Sequence, residues 1–387
     1  MRLAWSPEEE AFRVELRRFL DENAPPEAQG RDYFGSGTSE ETIPQWTRLW
    51  QAKLFDNGWL VPGYPPELGG RNATPVQTLL FLEELAARGL LRSAHFPGYA
   101  IVAPSLLEYG NEEQKTLAPA ALRGDTIWCI GMSEPNAGSD LASLTTTAVL
   151  DGDRFVVNGQ KVWTSYAMWA QKCFCYVRTN REVPKHKGIS VLIMDMDTPG
   201  IEVRPLRHIS GKAEFAEVFF TDVQVPKKNV LGDIDDGWRI TMGSLAHERG
   251  GLWVQNVANL ERTLAALVEL AQSTGRSDDP TVRRALGEAC SKVASLRALG
   301  YKGFSSFAQG GSAPEHSYMK LAASELGKAM MELGMEIEDG AAALAGDSEA
   351  GRWWRSFFAT FANTIAGGTS EIQRNIIAER VLGLPRG

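Results

Sequence analysis

The spacing of the apolar residues changes twice along this chain, and this change restricts the possible folds more than any other feature. Over residues 6–123 the apolar residues recur with a helical period. From about Thr126 the pattern changes to short runs rich in valine, threonine and aromatic residues, and after Gly237 the helical period returns. The chain is therefore predicted to contain a helical part, a β part and a second helical part.

Each helical part carries its own signals. Ser6 is a plausible N-cap, because Pro7 follows it and Glu8 and Glu9 fill the first turn. Apolar residues then recur at Phe12, Leu16, Phe19 and Leu20. After Gly237 a stripe typical of a bundle helix runs through Trp253, Val257, Leu260, Leu264, Leu267 and Ala271.

The β part contains seven runs with strand-forming composition. Asp151-Gly152 and Asn158-Gly159 separate the first three runs, and both dipeptides favour tight hairpin turns because their residues tolerate positive φ. The runs are 143–150, 154–157, 160–164, 173–179, 189–196, 201–205 and 214–225. The predicted fold is α+β: an N-terminal helical domain (1–125), a central antiparallel β-barrel (126–235) and a C-terminal four-helix bundle (236–387).

Composition excludes several classes of function. The formal net charge of the 387 residues is −8 and no run of Lys and Arg forms a basic stripe, which argues against nucleic-acid binding. No apolar stretch approaches the roughly 18 residues of a membrane-spanning helix. The N-terminus is rich in glutamate and has no apolar signal core, so we expect a cytoplasmic protein. The spacing of Cys129, Cys173, Cys175 and Cys290 predicts buried thiols and no metal site.

Two segments of the β part combine small, hydroxyl-bearing and aromatic residues. Residues 128–140 run from a strand into a turn around Gly138, which either allows close approach of a flat ligand or is an ordinary surface turn. Residues 158–165 place Trp163 and Ser165 on one side of a strand. The indole either covers an aromatic ring system or packs in the core.

Two segments of the second helical part have similar alternatives. Within residues 245–251, Glu248 has no Lys or Arg three or four positions away. It is either a desolvated carboxylate with a raised pKa, which suits a general base, or an ordinary solvated glutamate. Residues 366–375 place two glycines and a threonine before an amphipathic helix. They either present backbone N–H groups to an oxygen-rich ligand or simply cap the helix.

The four segments occur together and in this order, and the combination resembles the acyl-CoA dehydrogenase family over about residues 8–386. Any one of these segments could arise by chance, but four in register are specific. The most specific pieces are MSEPNAGSD (132–140), NGQKVWTS (158–165), FAEVFFTDVQVP (215–226) and AGGTSEIQRNIIAERVLG (366–383).

The resemblance implies FAD as cofactor, an acyl-CoA as substrate and an electron-transfer flavoprotein as acceptor. It implies α,β-dehydrogenation to the trans-2-enoyl-CoA, in which a carboxylate takes the α proton and flavin N5 accepts the β hydride. The implied FAD contacts are Ile130, Met132, Ser133, Gly138, Ser139, Trp163, Thr164, Ser165, Thr369 and Glu371. The implied acyl-CoA contacts are Ser139, Arg249 and Gly368.

The position of the base departs from the commonest family pattern. Many members carry a glutamate just before the Gly-Thr-Ser of the C-terminal motif, where this chain has Gly367. Other branches place the base on a bundle helix, in a Glu-Arg pair like Glu248-Arg249. The resemblance therefore implies that Glu248 is the base.

Two further departures concern the adenine end of FAD. The family's Arg-x-x-Phe-Gly segment has no clear match, with Arg276 the nearest candidate, and Glu336 stands where a glutamine is common. The chain most resembles actinobacterial members that act on bulky or sterol-derived acyl-CoAs. The resemblance implies a homotetramer or a mixed tetramer with a paralogue.

Three other functions belong to the same fold. An acyl-CoA oxidase passes electrons to dioxygen, and a flavin-dependent monooxygenase has no need of a base such as Glu248. A non-catalytic subunit would instead complete the active site of a partner chain. The pattern at Glu248, Trp163, Ser165 and Thr369 favours the dehydrogenase.

Overall fold

The computed structural model describes residues 5–28, 43, 45–93, 95–209, 211, 213–249, 252–308, 315–338 and 352–385. The chain divides into two units. Of the described residues, those within 5–81 and 90–248 form the first unit, and those within 82–89 and 249–385 form the second.

The first helix, α1 (Pro7–Asn23), begins where its sequence predicts. The Ser6 hydroxyl accepts a hydrogen bond of 3.2 Å from the N–H of Glu9, and the Ser6 N–H donates one of 2.6 Å to the Glu9 carboxylate. This reciprocal pair satisfies two groups that the first turn leaves without partners. The helix buries Phe12, Leu16 and Leu20, as predicted.

In the described ranges before the sheet, the longer elements that follow α1 are also helical. They are α2 (Gln45–Asp56), α3 (Pro75–Ala87), a π-helical turn (Gly98–Val102), α4 (Ala103–Tyr109), α5 (Glu112–Lys115) and α6 (Ala118–Arg123). Residues 82–87 of α3 belong to the second unit and all the other residues of these elements to the first.

Eight strands follow in the described residues of the first unit. They are β1 (Trp128–Gly131), β2 (Thr147–Asp151), β3 (Arg154–Ser165), β4 (Lys172–Arg178), β5 (Ile189–Asp195), β6 (Ile201–Leu206), β7 (Phe215–Pro226) and β8 (Val230–Leu231). The hairpin predicted at Asp151-Gly152 is confirmed, since β2 and β3 pair antiparallel on either side of it and Gly152 has a φ of 61°.

The second predicted hairpin, at Asn158-Gly159, is wrong. β3 continues through this dipeptide, and a register shift between Val157 and Gly159 marks a bulge against β7. β7 is 12 residues long and pairs with β3 on both sides of the bulge, so long-range pairing overrides the local turn preference. A Cβ on Gly159 would lie 2.5 Å from the Thr146 hydroxyl, which explains the glycine.

The predicted antiparallel β-barrel is also wrong, because the sheet is open and mixed. Its strand order is β6-β7-β3-β2-β4-β5-β8, with β1 paired to β4 in parallel. β2 and β4 are also parallel where Thr147 meets Arg178. β4 and β5 are buried along most of their length, as is typical of strands that are covered on both faces. Hairpin signals in the sequence specify antiparallel neighbours only, so they could not predict the parallel pairings.

The core of the sheet contains three of the four cysteines. Cys129, Cys173 and Cys175 are buried free thiols packed with Phe155 and other apolar side chains. Cys290 is exposed, so the expectation of four buried thiols fails there. It lies on the solvent-exposed face of a helix, and the number and spacing of the cysteines do not predict this exposure.

α7 (Gly237–Arg249) follows the sheet, and the chain then continues as helices in the second unit. These are α8 (Leu252–Ser273), α9 (Pro280–Ala308), α10 (Glu315–Glu338), α11 (Arg352–Ile365) and α12 (Ser370–Ile376), which ends in a π-helical turn (Ile377–Val381). α10 packs against α8, α9 and α11, and α8 packs against α9. The predicted α8 stripe is buried at Trp253, Val257, Leu260, Leu267 and Ala271.

Gly300 provides the space in which Trp253 packs between α8 and α9. A Cβ on Gly300 would lie 2.2 Å from the indole, whereas a Cβ on Gly287, in the same helix, would meet nothing within 4 Å. We expect Gly300→Ala to lower the free energy of unfolding by about 1–3 kcal/mol through overpacking. We expect Gly287→Ala to raise it by about 0.5–1 kcal/mol, because alanine favours a helix interior. Urea unfolding of both variants checks this, and equal effects would contradict it.

Candidate functional site

The first predicted segment starts on β1 and continues through a tight turn. Ile130 lies on β1, and Glu134 and Ala137 then exchange backbone hydrogen bonds of 3.0 and 3.1 Å. Gly138 and Ser139 are exposed, and nothing lies within 4 Å of where a Gly138 Cβ would be. The turn therefore leaves its small residues open to a ligand.

The start of β1 is fixed by a buried histidine. His95 Nε2 lies 2.8 Å from the carbonyl oxygen of Trp128, the first residue of β1. Burial lowers the pKa of His95 to about 4, against the opposing effect of this hydrogen bond. His95 is therefore neutral at pH 7, and its Nε2 also lies 3.0 Å from the Trp128 N–H, which fixes the ring against the start of the strand that leads into the turn.

Lys161 and Glu134 form a buried ion pair beside this turn. The Lys161 ammonium lies 2.8 Å from Glu134 Oε1 and donates a second hydrogen bond of 3.1 Å to the Met132 carbonyl. The Glu134 carboxylate also accepts bonds of 2.6 and 2.9 Å from the N–H groups of Thr145 and Thr146. Burial raises the pKa of Glu134, but Lys161 and these donors outweigh it and bring the pKa down to about 2.

Trp163 lies at a second bulge, near the end of β3. The register of β3 against β7 shifts between Lys161 and Thr164, and Trp163 has a φ of 58°, in the left-handed region that disfavours bulky residues. Its indole is 54% exposed and contacts Phe215 edge-on, with ring centroids 5.8 Å apart. This exposure excludes the interpretation of Trp163 as a core residue. A strained backbone that exposes a large aromatic face is typical of a ligand site.

Thr164 and Ser165 follow the exposed indole. Thr164 is 0% exposed, and its hydroxyl has no hydrogen-bond partner among the described residues. Ser165 is partly buried and pairs with Phe215. An unpaired buried hydroxyl costs about 1–3 kcal/mol. A flat ring system, such as a flavin, fits the exposed indole of Trp163 beside the accessible Ser165.

The Thr164 hydroxyl is expected to oppose stability in the protein without ligand. Thr164→Val removes the unpaired hydroxyl at nearly constant volume, so we expect the free energy of unfolding of the flavin-free protein to rise by about 1–2 kcal/mol. Thr164→Ser keeps the hydroxyl and serves as the control. Urea unfolding without added flavin measures both, and a valine variant less stable than wild type would show that the hydroxyl has a protein partner.

The C-terminal motif lies in the second unit and forms a glycine turn ahead of α12. Gly367 and Gly368 have φ values of 67° and 94°, which only glycine adopts without strain. The Thr369 hydroxyl then accepts a hydrogen bond of 3.3 Å from the N–H of Ile372. The sequence interpretation as a helix cap is therefore confirmed, whereas contact of this turn with a ligand remains a prediction.

Side chains from α10 and α12 hold this turn. Lys320 donates a hydrogen bond of 2.6 Å to the Gly368 carbonyl, and Gln373 donates one of 3.0 Å to the Gly367 carbonyl. Burial lowers the pKa of Lys320. The pKa of Glu371 is lowered by its own backbone N–H and by the Thr369 hydroxyl, so Glu371 is ionised and exposed at the start of α12.

The remaining site predictions concern Glu248, Arg249, Arg276 and Glu336. Glu248 and Arg249 are the last two residues of α7, and their side chains lie outside what the structure describes. Arg276 donates hydrogen bonds to the carbonyl of Glu336 and, at 2.9 Å, to the carboxylate of Asp279. Arg276 and Glu336, the two residues linked above to departures from the family pattern, are thus hydrogen-bonded to each other. The Glu336 side chain is exposed.

Within the first unit, the structure brings the predicted segments of β1 and β3 together. The N–H of Val162 donates a hydrogen bond of 2.9 Å to the Ser133 carbonyl. The sequence reasoning missed Lys161, Glu134 and Lys320. Lys161 could have been found from the sequence. It is an even number of residues away from the buried Phe155 and Val157 along β3, so it is expected on the same buried face, where a lysine requires a partner.

Metal-binding clusters and membrane-spanning helices are two further features that the described residues bear on. Over the described ranges, no group of three or more His, Cys, Asp or Glu is placed to hold a metal ion. None of the helices in those ranges combines the length and the apolar composition that crossing a bilayer requires.

The chain matches three family models in succession. They describe the N-terminal domain of acyl-CoA dehydrogenases at residues 6–125, the middle domain at 129–223 and the C-terminal domain at 235–382. Together these models span most of the chain.

Individual relatives give the same result. The acyl-CoA dehydrogenase IpdE1 of Mycolicibacterium smegmatis is 37% identical over 98% of both chains. Among solved structures, the Tcur3481-Tcur3483 steroid ACAD has a TM-score of 0.85 and 31% identity over the whole of both chains. The ChsE4-ChsE5 complex from Mycobacterium tuberculosis has a TM-score of 0.83 and 35% identity, again over the whole of both chains.

Proposed function

This chain belongs to the acyl-CoA dehydrogenase family, and we propose that Glu248 removes the α proton during dehydrogenation of its acyl-CoA substrate. Members of this family are FAD-dependent oxidoreductases, so FAD is the cofactor. The observation that carries the placement of FAD is the bulge at Trp163, which exposes the indole near the end of β3.

Bound FAD supplies the acceptor for the β hydrogen, which leaves the substrate as a hydride. We assign FAD binding to β1 and the turn after it, to the end of β3 and to the start of α12. The assigned residues are Ile130, Met132, Ser133, Gly138, Ser139, Trp163, Thr164, Ser165, Thr369 and Glu371.

Glu248 is proposed as the base partly because the other family position offers no carboxylate. Gly367 stands there with a φ of 67°, where any other residue would be strained by about 1–2 kcal/mol. Removal of the α proton builds negative charge on the thioester oxygen, which hydrogen-bond donors at that atom would stabilise. We assign substrate contacts to Ser139, Arg249 and Gly368.

The domain boundaries and the assembly are further proposals. We propose domains at 1–125, 126–235 and 236–387, with α8 to α11 as the helices of a C-terminal four-helix bundle. The likeness to a two-component steroid ACAD and to the ChsE4-ChsE5 complex supports a bulky, sterol-derived acyl chain and a mixed tetramer with a paralogue. A homotetramer is the alternative. An electron-transfer flavoprotein is the proposed acceptor.

Anaerobic titration tests the proposal. The purified chain is loaded with FAD and mixed with a panel of straight-chain and sterol-derived acyl-CoAs while flavin absorbance is recorded. Bleaching by one thioester, with the enoyl-CoA as product, supports the dehydrogenase and identifies its substrate class. Rapid recovery of colour in air would instead favour an acyl-CoA oxidase.

A protein that stays colourless with added FAD would contradict the self-sufficient enzyme. Co-expression with a neighbouring paralogue then decides whether flavin is held only by the mixed assembly. If flavin is absent from that assembly as well, the proposed FAD contacts of this chain are wrong.

A further inference from the structure

The buried pair Lys161–Glu134 has contacts that stability alone does not require. Lys161 is 0% exposed and Glu134 5%. Removing two charges from water is costly, and buried ion pairs can often be replaced by apolar residues without loss of stability. This cost favours a role of the pair in arranging neighbouring groups over a role in stability alone.

The groups that the pair arranges are the backbone atoms of the turn after β1. Lys161 fixes the Met132 carbonyl at 3.1 Å, and the adjacent Val162 fixes the Ser133 carbonyl at 2.9 Å. Glu134 continues the chain and returns to Lys161 through its carboxylate at 2.8 Å. Residues 132–134 are thus attached to β3 at three consecutive positions.

The same attachment lies immediately before the Trp163 bulge. Lys161 is the last residue paired with β7 before the register shift, and Trp163 follows two residues later. The surroundings leave the lysine little freedom, since a Cβ on Gly131 would lie 3.3 Å from Lys161 Cγ and 3.2 Å from the Cys175 sulfur. A displacement of Lys161 would therefore move both the turn and the strained Trp163.

We propose that Lys161 and Glu134 are positioning residues that hold Met132 and Ser133 in fixed relation to Trp163, Thr164 and Ser165 for flavin binding. This inference rests on the proposed function. The pair acts through the backbone and touches neither cofactor nor substrate. Its removal changes flavin affinity and the flavin absorption spectrum even where the fold is kept.

The test compares affinity for FAD with stability in a neutralised pair. In Lys161→Met/Glu134→Gln no unpaired charge stays buried, so its thermal midpoint without flavin should exceed those of both single variants. The Kd for FAD, measured by quenching of flavin fluorescence, should still rise by about tenfold, equivalent to about 1.4 kcal/mol. The absorption maximum of the bound flavin should also shift.

The control is Lys172→Met/Asp195→Asn, which removes a partly exposed pair of 2.5 Å between β4 and β5 of the same sheet. Its Kd for FAD and its spectrum should match wild type. A neutralised Lys161–Glu134 pair with restored midpoint, wild-type Kd and wild-type spectrum would overturn the inference. The pair would then be purely structural.

A milder variant decides the matter if the double variant does not fold. Thr145 is exposed, and its hydroxyl donates a hydrogen bond of 2.8 Å to Glu134 Oε2. Thr145→Val removes this hydroxyl. The Kd for FAD should rise by about threefold, and an unchanged Kd overturns the inference. A wild-type protein that binds no FAD, alone or with a paralogue, overturns the proposed function and this inference together.

Discussion

Glu248→Gln should give a yellow, FAD-loaded protein that acyl-CoA reduces more slowly by a factor on the order of 10²–10⁴. Glutamine has nearly the volume of glutamate but cannot accept the α proton at neutral pH. Because the assigned FAD contacts lie on other residues, flavin content should be unchanged. Rapid mixing without air, followed by the loss of flavin absorbance, measures the rate.

The matched control is Glu269→Gln, an exposed glutamate of α8. It should reduce at the wild-type rate, because a solvated carboxylate distant in sequence from the motif has no assigned role. A Glu248→Gln variant that bleaches at nearly the wild-type rate with full flavin content would place the base elsewhere in the chain.

Glu134→Gln is expected to have the largest effect on stability. It leaves the Lys161 ammonium buried without its anion, and breaking a buried pair in this way costs about 3–5 kcal/mol. The free energy of unfolding at pH 7 should therefore fall by about that amount. Urea unfolding followed by tryptophan fluorescence measures it.

The same variant has a defined pH dependence. The pKa of Glu134 is about 2 in the folded protein, against an ordinary value of 4.5. A carboxyl with a lowered folded pKa stabilises the fold fully above its unfolded pKa, and that contribution is lost as the pH falls. The stability difference between wild type and Glu134→Gln should therefore be constant above about pH 5 and should shrink between pH 4.5 and 2.

Glu202→Gln is the control for this experiment. Glu202 forms an exposed ion pair with Arg204 in β6, and exposed pairs contribute little to stability. Its unfolding midpoint should follow wild type at every pH. A Glu134→Gln variant as stable as wild type at pH 7 would contradict the energetic role of the buried pair.

Much of the helical structure could be predicted because its causes are local. The Ser6 cap depends on residues within three positions of it, and the α8 stripe depends on a period of 3.6 residues. The hairpin at Asp151-Gly152 is equally local. The candidate FAD residues came instead from the combined motifs, and the structure places those of β1 and β3 next to each other.

The sequence by itself therefore determined the order of helical and β parts, the helix caps, one hairpin and the family motifs. Tertiary structure decided the open mixed sheet, the continuous β3 across Asn158-Gly159, the exposed bulge at Trp163 and the buried Lys161–Glu134 pair. The two sets of features differ because they depend on interactions over different distances along the chain. Turn and helix preferences act within a few residues, whereas strand partners, bulges and buried charges are fixed by groups far apart in the chain, such as β7 opposite β3.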